Sequence, residues 1–211
     1  MEDVAVVDCD GVIINSIPGI RRVSTECVGK FFPVEDLNKK LEKLVVRFGG
    51  EGFTAGSKKA LESLFPEEEH RKKREECHQM IIARRREIYD KARPFPGAIE
   101  AVKLLSESFH LVISSALECD IIYYWLRRNG LGKGWFEMIC GEEDGEKSTH
   151  LELIRRTFPG AWVWCIGNSP ADMLGDFPIG VAEQLWHKEL LLAGGAGEVI
   201  SALEEIFDVL Y

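Results

Sequence analysis

The 211-residue chain has no apolar run approaching the roughly 20 residues that a bilayer span requires. Its opening residues, Met1-Glu2-Asp3, lack the basic stretch of a secretory signal. No membrane association is expected, and the expected location is the cytoplasm. The six cysteines (Cys9, Cys27, Cys77, Cys119, Cys140, Cys165) form no CxxC pair and follow no regular spacing. Three fall inside apolar strand-like runs, so the set reads as small buried hydrophobes in a reducing compartment. The five histidines show no metal-ligand spacing such as HExxH, and Cys77-His78 lies in a charged helical stretch, so no zinc site is expected. Internal repeats and low-complexity tracts are also missing.

What is present describes an ordinary globular chain, 45% hydrophobic and 29% charged, long enough for one sizeable core and a smaller domain. The net charge of -9 is unevenly spread. Residues 15–93 hold 18 Lys and Arg against 13 Asp and Glu, a balance of +5, which leaves -14 for the remainder. Nucleic acid is a poor partner for so acidic a remainder. A basic segment facing an acidic site suits an anionic substrate held through a metal.

Short apolar runs at Val4–Asp8, His110–Ser114, Phe136–Cys140, Ala161–Ile166 and Pro178–Val181 predict strands buried on both faces. Helical patterns lie between them at Gly97–Glu107, Glu118–Asn129, Ser148–Thr157 and about Glu198–Val209, with Gly130 and Pro159-Gly160 as stop signals. Alternating strands and helices predict an α/β fold, a Rossmann-like parallel sheet flanked by helices. Residues 15–93 offer helices and no clear strand. The expected organisation is therefore an α/β core of 1–14 and 94–211 with an all-helical cap domain, 15–93, inserted after the first strand.

Ligands of such sheets bind outside the carboxyl ends of the strands. There the sequence places Asp8-Cys9-Asp10, Ser114-Ser115 and Gly167-Asn168-Ser169-Pro170-Ala171-Asp172, with Lys147 opening a helix after the third strand. This set suits phosphoryl transfer. A carboxylate can attack phosphorus and form an acyl-phosphate, and a second acid two residues on can protonate the leaving oxygen and then activate water. Two carboxylates so close repel, so Mg²⁺ is expected between them and the phosphate oxygens. Lys147 would neutralise further charge, while Ser114 and the amides near Gly11 would bond the equatorial oxygens. Ser114, the first residue after its apolar run, is favoured over Ser115, which remains a neighbouring binding residue. Cys9, the middle residue of its triplet, should point away from both aspartates.

The string Asp8-Cys9-Asp10-Gly11-Val12-Ile13 resembles the first motif of the haloacid dehalogenase superfamily, in its phosphoglycolate-phosphatase-like branch with a helical cap. Leu111-Val112-Ile113-Ser114 resembles the second motif, Lys147 the third, and Gly167-Asn168-Ser169-Pro170-Ala171-Asp172-Met173 the fourth. Pro94-Phe95-Pro96-Gly97-Ala98 resembles the return from cap to core, and residues 189–196 the family's closing segment. The resemblance implies a Mg²⁺-dependent phosphatase of a small phosphorylated metabolite. In it Asp8 is the nucleophile and a metal ligand, and Asp10 is the general acid/base that also offers its carbonyl to the metal. Ser114 and Lys147 hold the phosphoryl group. The retained second aspartate favours phosphate esters over haloacids.

Two departures stand out. Asn168 replaces the usual aspartate after the glycine, which implies weaker metal binding with Asp172, or more distantly Asp176, to assist. Lys147 is followed by Ser148-Thr149-His150 in place of the family's usual prolines. Two other readings stay open: a sugar phosphomutase using the same intermediate, and a module that binds a phosphorylated ligand without turnover. In the insertion, Arg47 to Phe53 (RFGGEGF) reads either as a surface loop or as the part of the cap that reaches over the site, with Arg47 as a substrate contact. The charged run His70-Arg71-Lys72-Lys73-Arg74-Glu75-Glu76 and the later Arg84-Arg85-Arg86 read as solvated helix faces or as anion-steering charge. Gly141 to Ser148 approaches the P-loop pattern, but Glu146 stands where glycine is needed and four acids would repel a triphosphate. The oligomeric state is not legible in the sequence.

Overall fold

A computed structural model describes residues 3–33, 36–48, 52–182 and 184–210. The chain divides into two compact units, Met1–Asn15 with Arg93–Tyr211, and Ser16–Ala92.

The first unit is built on a six-stranded sheet of β1 (Val4–Val7), β4 (His110–Ser114), β5 (Met138–Cys140), β6 (Val163–Gly167), β7 (Phe177–Val181) and β8 (Glu198–Ile200). Their order is β5-β4-β1-β6-β7-β8, and every pairing is parallel. β1 is buried along its whole length, as a central strand covered on both faces must be. Helices α6 (Ala98–Ser108), α7 (Cys119–Arg128), α8 (Lys147–Thr157), α9 (Leu185–Ala193) and α10 (Ile206–Leu210) complete the unit. α6 buries Ala98, Ala101, Val102 and Leu105, one stripe at three- and four-residue spacing. Val102 and Leu105 each contribute about 2 kcal/mol by leaving water, and the two alanines less than about 1 kcal/mol. One core cluster packs Val4, Val6, Val112, Val163 and Cys165 against Ile154 of α8. A two-stranded antiparallel pair, β2 (Ile14–Asn15) with β3 (Arg93–Pro94), stands where the chain leaves and re-enters this unit.

The second unit contains α1 (Ile17–Phe31), α2 (Leu37–Phe48), α3 (Phe53–Leu64), α4 (Arg71–Ala83) and α5 (Arg85–Lys91), and no strand among the described residues. Phe32 and Phe65 stack at 3.7 Å between ring centroids. A Cβ on Gly56 would meet the Phe48 carbonyl at 2.5 Å, so glycine there permits the close approach of α2 and α3. The basic runs are not uniformly solvated. Arg84 pairs with Glu26 and Glu87, and Arg85 is buried with its guanidinium 5.7 Å from the Phe53 ring centroid.

The segment expected as one helix from about Glu198 begins with strand β8 and becomes helical only at Leu203. Val199, Ile200, Leu203 and Ile206 happen to match helical spacing, while pairing with β7 takes the first of them into the sheet. Among the described residues no helix is long and apolar enough to cross a membrane. Five cysteines are buried and Cys119 is half-buried, its Sγ 3.8 Å from Asp144 Oδ2.

Candidate active site

Parallel register gathers the polar residues at one edge. Val7 pairs with Ile113 on one side and with Ile166 on the other, so Asp8, Ser114 and Gly167 leave the sheet at the same level. The chain builds outward from β1 through β4 to β5, then returns through α8 to β6 on the other flank of β1. This is the reversal of strand order at which open sheets form their crevice. Lys147 is the first residue of the crossover helix α8, so the topology delivers an ammonium group to that crevice.

Lys147 Nζ lies 2.9 Å from Asp8 Oδ1 and 2.7 Å from Asp172 Oδ1, and it also donates to the Ser114 carbonyl. All three side chains are buried. Asp8 Oδ1 accepts a second bond, 2.8 Å from the Cys9 amide. One ammonium thus serves two carboxylates. Burial raises the Asp8 carboxyl to about 6, opposed by Lys147 and assisted by the charge of Asp172. Burial alone would lower Lys147, but Asp172 and Asp8 outweigh it and hold the ammonium above its ordinary range. Cys9 is fully buried, and burial beside Asp8 and Asp10 drives its thiol upward, so it is no nucleophile.

Asp172 is fixed from behind by Ser169, whose hydroxyl and amide donate to Oδ2 at 2.8 and 3.0 Å. Both Asp172 oxygens are therefore occupied, which suits it to hold Lys147 more than to ligate a metal directly. Asp176 belongs elsewhere. It receives Arg155 at 2.9 Å and the Val163 amide at 2.9 Å, at the amino end of β6 and so at the opposite edge of the sheet.

The Asn168 amide, turned so that its nitrogen faces acceptors, donates to Asp8 Oδ2 and to the Asp10 carbonyl, each at 3.3 Å. Its own backbone carbonyl accepts from His187 Nε2 at 2.6 Å. Gly11, at φ +86°, makes this approach possible, because a Cβ there would fall 2.0 Å from the Asn168 amide. The Gly11 amide donates to the Ile14 carbonyl at 2.8 Å, so it closes the turn and is not free to bond a phosphoryl oxygen as expected. Ser115 is fully buried, and its hydroxyl accepts the Leu117 amide at 3.3 Å. Arg47 lies in the other unit, exposed in the last turn of α2, its guanidinium 5.6 Å from the Phe48 ring centroid. Gly49, Gly50 and Glu51 of that segment lie outside the described residues.

Three supporting residues had no role from sequence: Ser169, His187 and His150. His150 Nδ1 lies 2.9 Å from Ser114 Oγ, and its Nε2 lies 3.0 Å from the Gly141 carbonyl. The only hint was His150 in a position where prolines were expected.

The donors fit a hard divalent cation. Asp8 Oδ2 and the Asp10 carbonyl converge on the Asn168 amide, and a half-turn of that amide offers Oδ1 as a third oxygen. Charge favours it too, since the Asp8 and Asp172 carboxylates share one lysine, a surplus that repels a phosphate dianion.

No protein-family model and no curated protein matches the chain. Solved structures do. A predicted phosphoglycolate phosphatase from Haemophilus somnus 129PT is 14% identical at TM-score 0.76, covering 100% of this chain and 98% of its own. A candidate β-phosphoglucomutase from Thermotoga maritima is 17% identical at TM-score 0.67, covering 99% and 98%. A candidate HAD-hydrolase from Bacillus subtilis, YfnB, whose structure is bound to magnesium, is 18% identical at TM-score 0.68, covering 99% and 98%. The chain has the fold of the haloacid dehalogenase-like hydrolases over its whole length.

Proposed function

We propose that this chain is a phosphoric monoester hydrolase acting on a small phosphorylated metabolite through an aspartyl-phosphate on Asp8. The observation that carries this reading is the Asp8 carboxylate, oriented by Lys147 and the Cys9 amide on one oxygen and facing Asn168 and the Asp10 carbonyl with the other. An Asp8 oxygen attacks phosphorus while the bond from phosphorus to the leaving oxygen breaks, and Asp10 gives that oxygen its proton. Asp10, now ionised, takes a proton from water. The resulting hydroxide attacks the aspartyl-phosphate, releasing phosphate and regenerating Asp8. Lys147 stays with Asp8 and Asp172 throughout and neutralises charge on the transferred group. Asp8 Oδ2, the Asp10 carbonyl and Asn168 would hold Mg²⁺, which when bound supplies positive charge against the phosphoryl oxygens.

The test is phosphate release from an aryl phosphate, with and without millimolar Mg²⁺, by wild type and Asp8→Asn. Mg²⁺-dependent release that vanishes in the variant is expected. Release that survives in Asp8→Asn would sink the nucleophile. The fold also hosts the candidate mutase from Thermotoga maritima, and a requirement for a sugar bisphosphate would redirect the reading there. Ligand-induced stabilisation without any release would instead support a binding module.

A further inference from the structure

His150 is 1% exposed on α8, and its ring bridges two segments. Nε2 faces the Gly141 carbonyl at 3.0 Å and Nδ1 faces Ser114 Oγ at 2.9 Å. A carbonyl has no proton to give, so Nε2 carries the hydrogen. In the neutral ring Nδ1 is then an acceptor, and Ser114 must donate its single proton to it. Ser114 lines the same pocket as Asp8 and Lys147. With its proton turned toward His150, the hydroxyl offers a phosphoryl oxygen only lone pairs. Protonation at Nδ1 reverses the bond, so that Nδ1–H donates to Oγ and the serine proton becomes available to the ligand.

We propose that His150 is a positioning residue that aims the Ser114 hydroxyl, and that a phosphoryl-type anion binds there together with one proton taken up at His150 Nδ1. The proposal rests on reading this pocket as a phosphoryl site. The surroundings fit it. Burial and then Lys147, one turn earlier on α8, hold the imidazole below its ordinary range, while the Gly141 carbonyl, Asp144 and the Gly145 backbone pull the other way. An anion beside Ser114 adds negative charge and an acceptor for the serine proton, and both favour the imidazolium. The proton balance is simple: one proton enters from solvent with the anion and leaves with it.

The test uses the whole protein with Mg²⁺ present and sulfate as probe, a dianion that does not itself titrate between pH 5 and 8. Nitrogen NMR of the His150 ring should show the Nε2–H tautomer in the empty protein. Saturating sulfate should raise the ring's titration midpoint by about one pH unit, equivalent to about tenfold tighter sulfate binding to the protonated form. A midpoint that stays put while sulfate binds would overturn the proposal and leave the phosphatase reading intact. His150→Asn keeps a polar group near Ser114 but cannot titrate. Because Asp8 titrates in both proteins, the ratio of wild-type to variant sulfate affinity isolates the imidazole. It should climb about tenfold from pH 8 to pH 5, and a flat ratio also overturns the proposal. Absence of sulfate binding at any pH would remove the phosphoryl site itself, and the proposal with it.

Discussion

In the α/β unit, Lys147 is 7% exposed between Asp8 and Asp172, and among the described residues no second cation pairs with either carboxylate. In the helical unit, Arg22 and Arg84 alternate with Glu26 and Glu87 in four pairs of 2.6–3.2 Å, with side chains 26–45% exposed. Both are charge networks, but water screens the second and not the first. Buried charges that outnumber their partners hold free energy that a ligand can release, whereas wet pairs contribute little in either direction. The unbalanced network lies at the carboxyl edge of the parallel sheet and the balanced one on the helices of the other unit.

The largest effect should come from Asp8→Asn, with phosphate release falling about a thousandfold or more if Asp8 is the nucleophile as proposed. Lys147→Met should follow. It leaves two buried like charges unpaired and should lower stability at pH 7 by about 4 kcal/mol in urea unfolding. Stability recovered in acid, where the carboxylates protonate, would sharpen the assignment to charge over packing.

Asp8 also gives a signed pH dependence. Its carboxyl sits at about 6 in the folded protein against an ordinary 3.8, so the fold binds this proton more tightly than the unfolded chain does. That contribution is fully present below about pH 4 and is lost as pH rises through about 6. The stability of wild type relative to Asp8→Asn should therefore fall by about 2 kcal/mol between pH 4 and pH 8. A pH-independent difference would show that Asp8 titrates at its ordinary value.

Smaller still is Asn168→Asp, which adds a charged oxygen where the amide now donates. The Mg²⁺ concentration for half-maximal stabilisation, read by thermal melting without substrate, should drop about tenfold. Equal Mg²⁺ dependence in the two proteins would remove Asn168 as the cause of weak binding. Smallest should be Glu87→Gln in the exposed network, leaving the melting temperature nearly unchanged. A loss comparable to that of Lys147→Met would break the contrast between the units.

The strand ends were legible because each short apolar run stops at a polar residue, and parallel strands share one carboxyl edge. β8 was not, since three residues carry too little period to separate a strand from the helix that follows. Asp176 looked like a reserve metal ligand from its nearness in sequence to Asp172, yet the chain turns between them and carries it to the far edge of the sheet. Gly11 was singled out for the amides around it. The fold uses its missing side chain instead, and the amide closes a turn.

By itself the sequence determined the α/β alternation, the helical insertion and the three polar strand-end segments with Lys147 beside them, because periodicity, glycine and proline act over a few residues. Tertiary structure alone decided who holds whom. Lys147 reaches Asp8 across 139 residues and Ser114 meets His150 across 36. Such pairs depend on strand order, register and the crossing of α8, which form only when the sheet closes around β1. Whether Ser114 turns its proton toward the site or away from it is therefore a property of the fold.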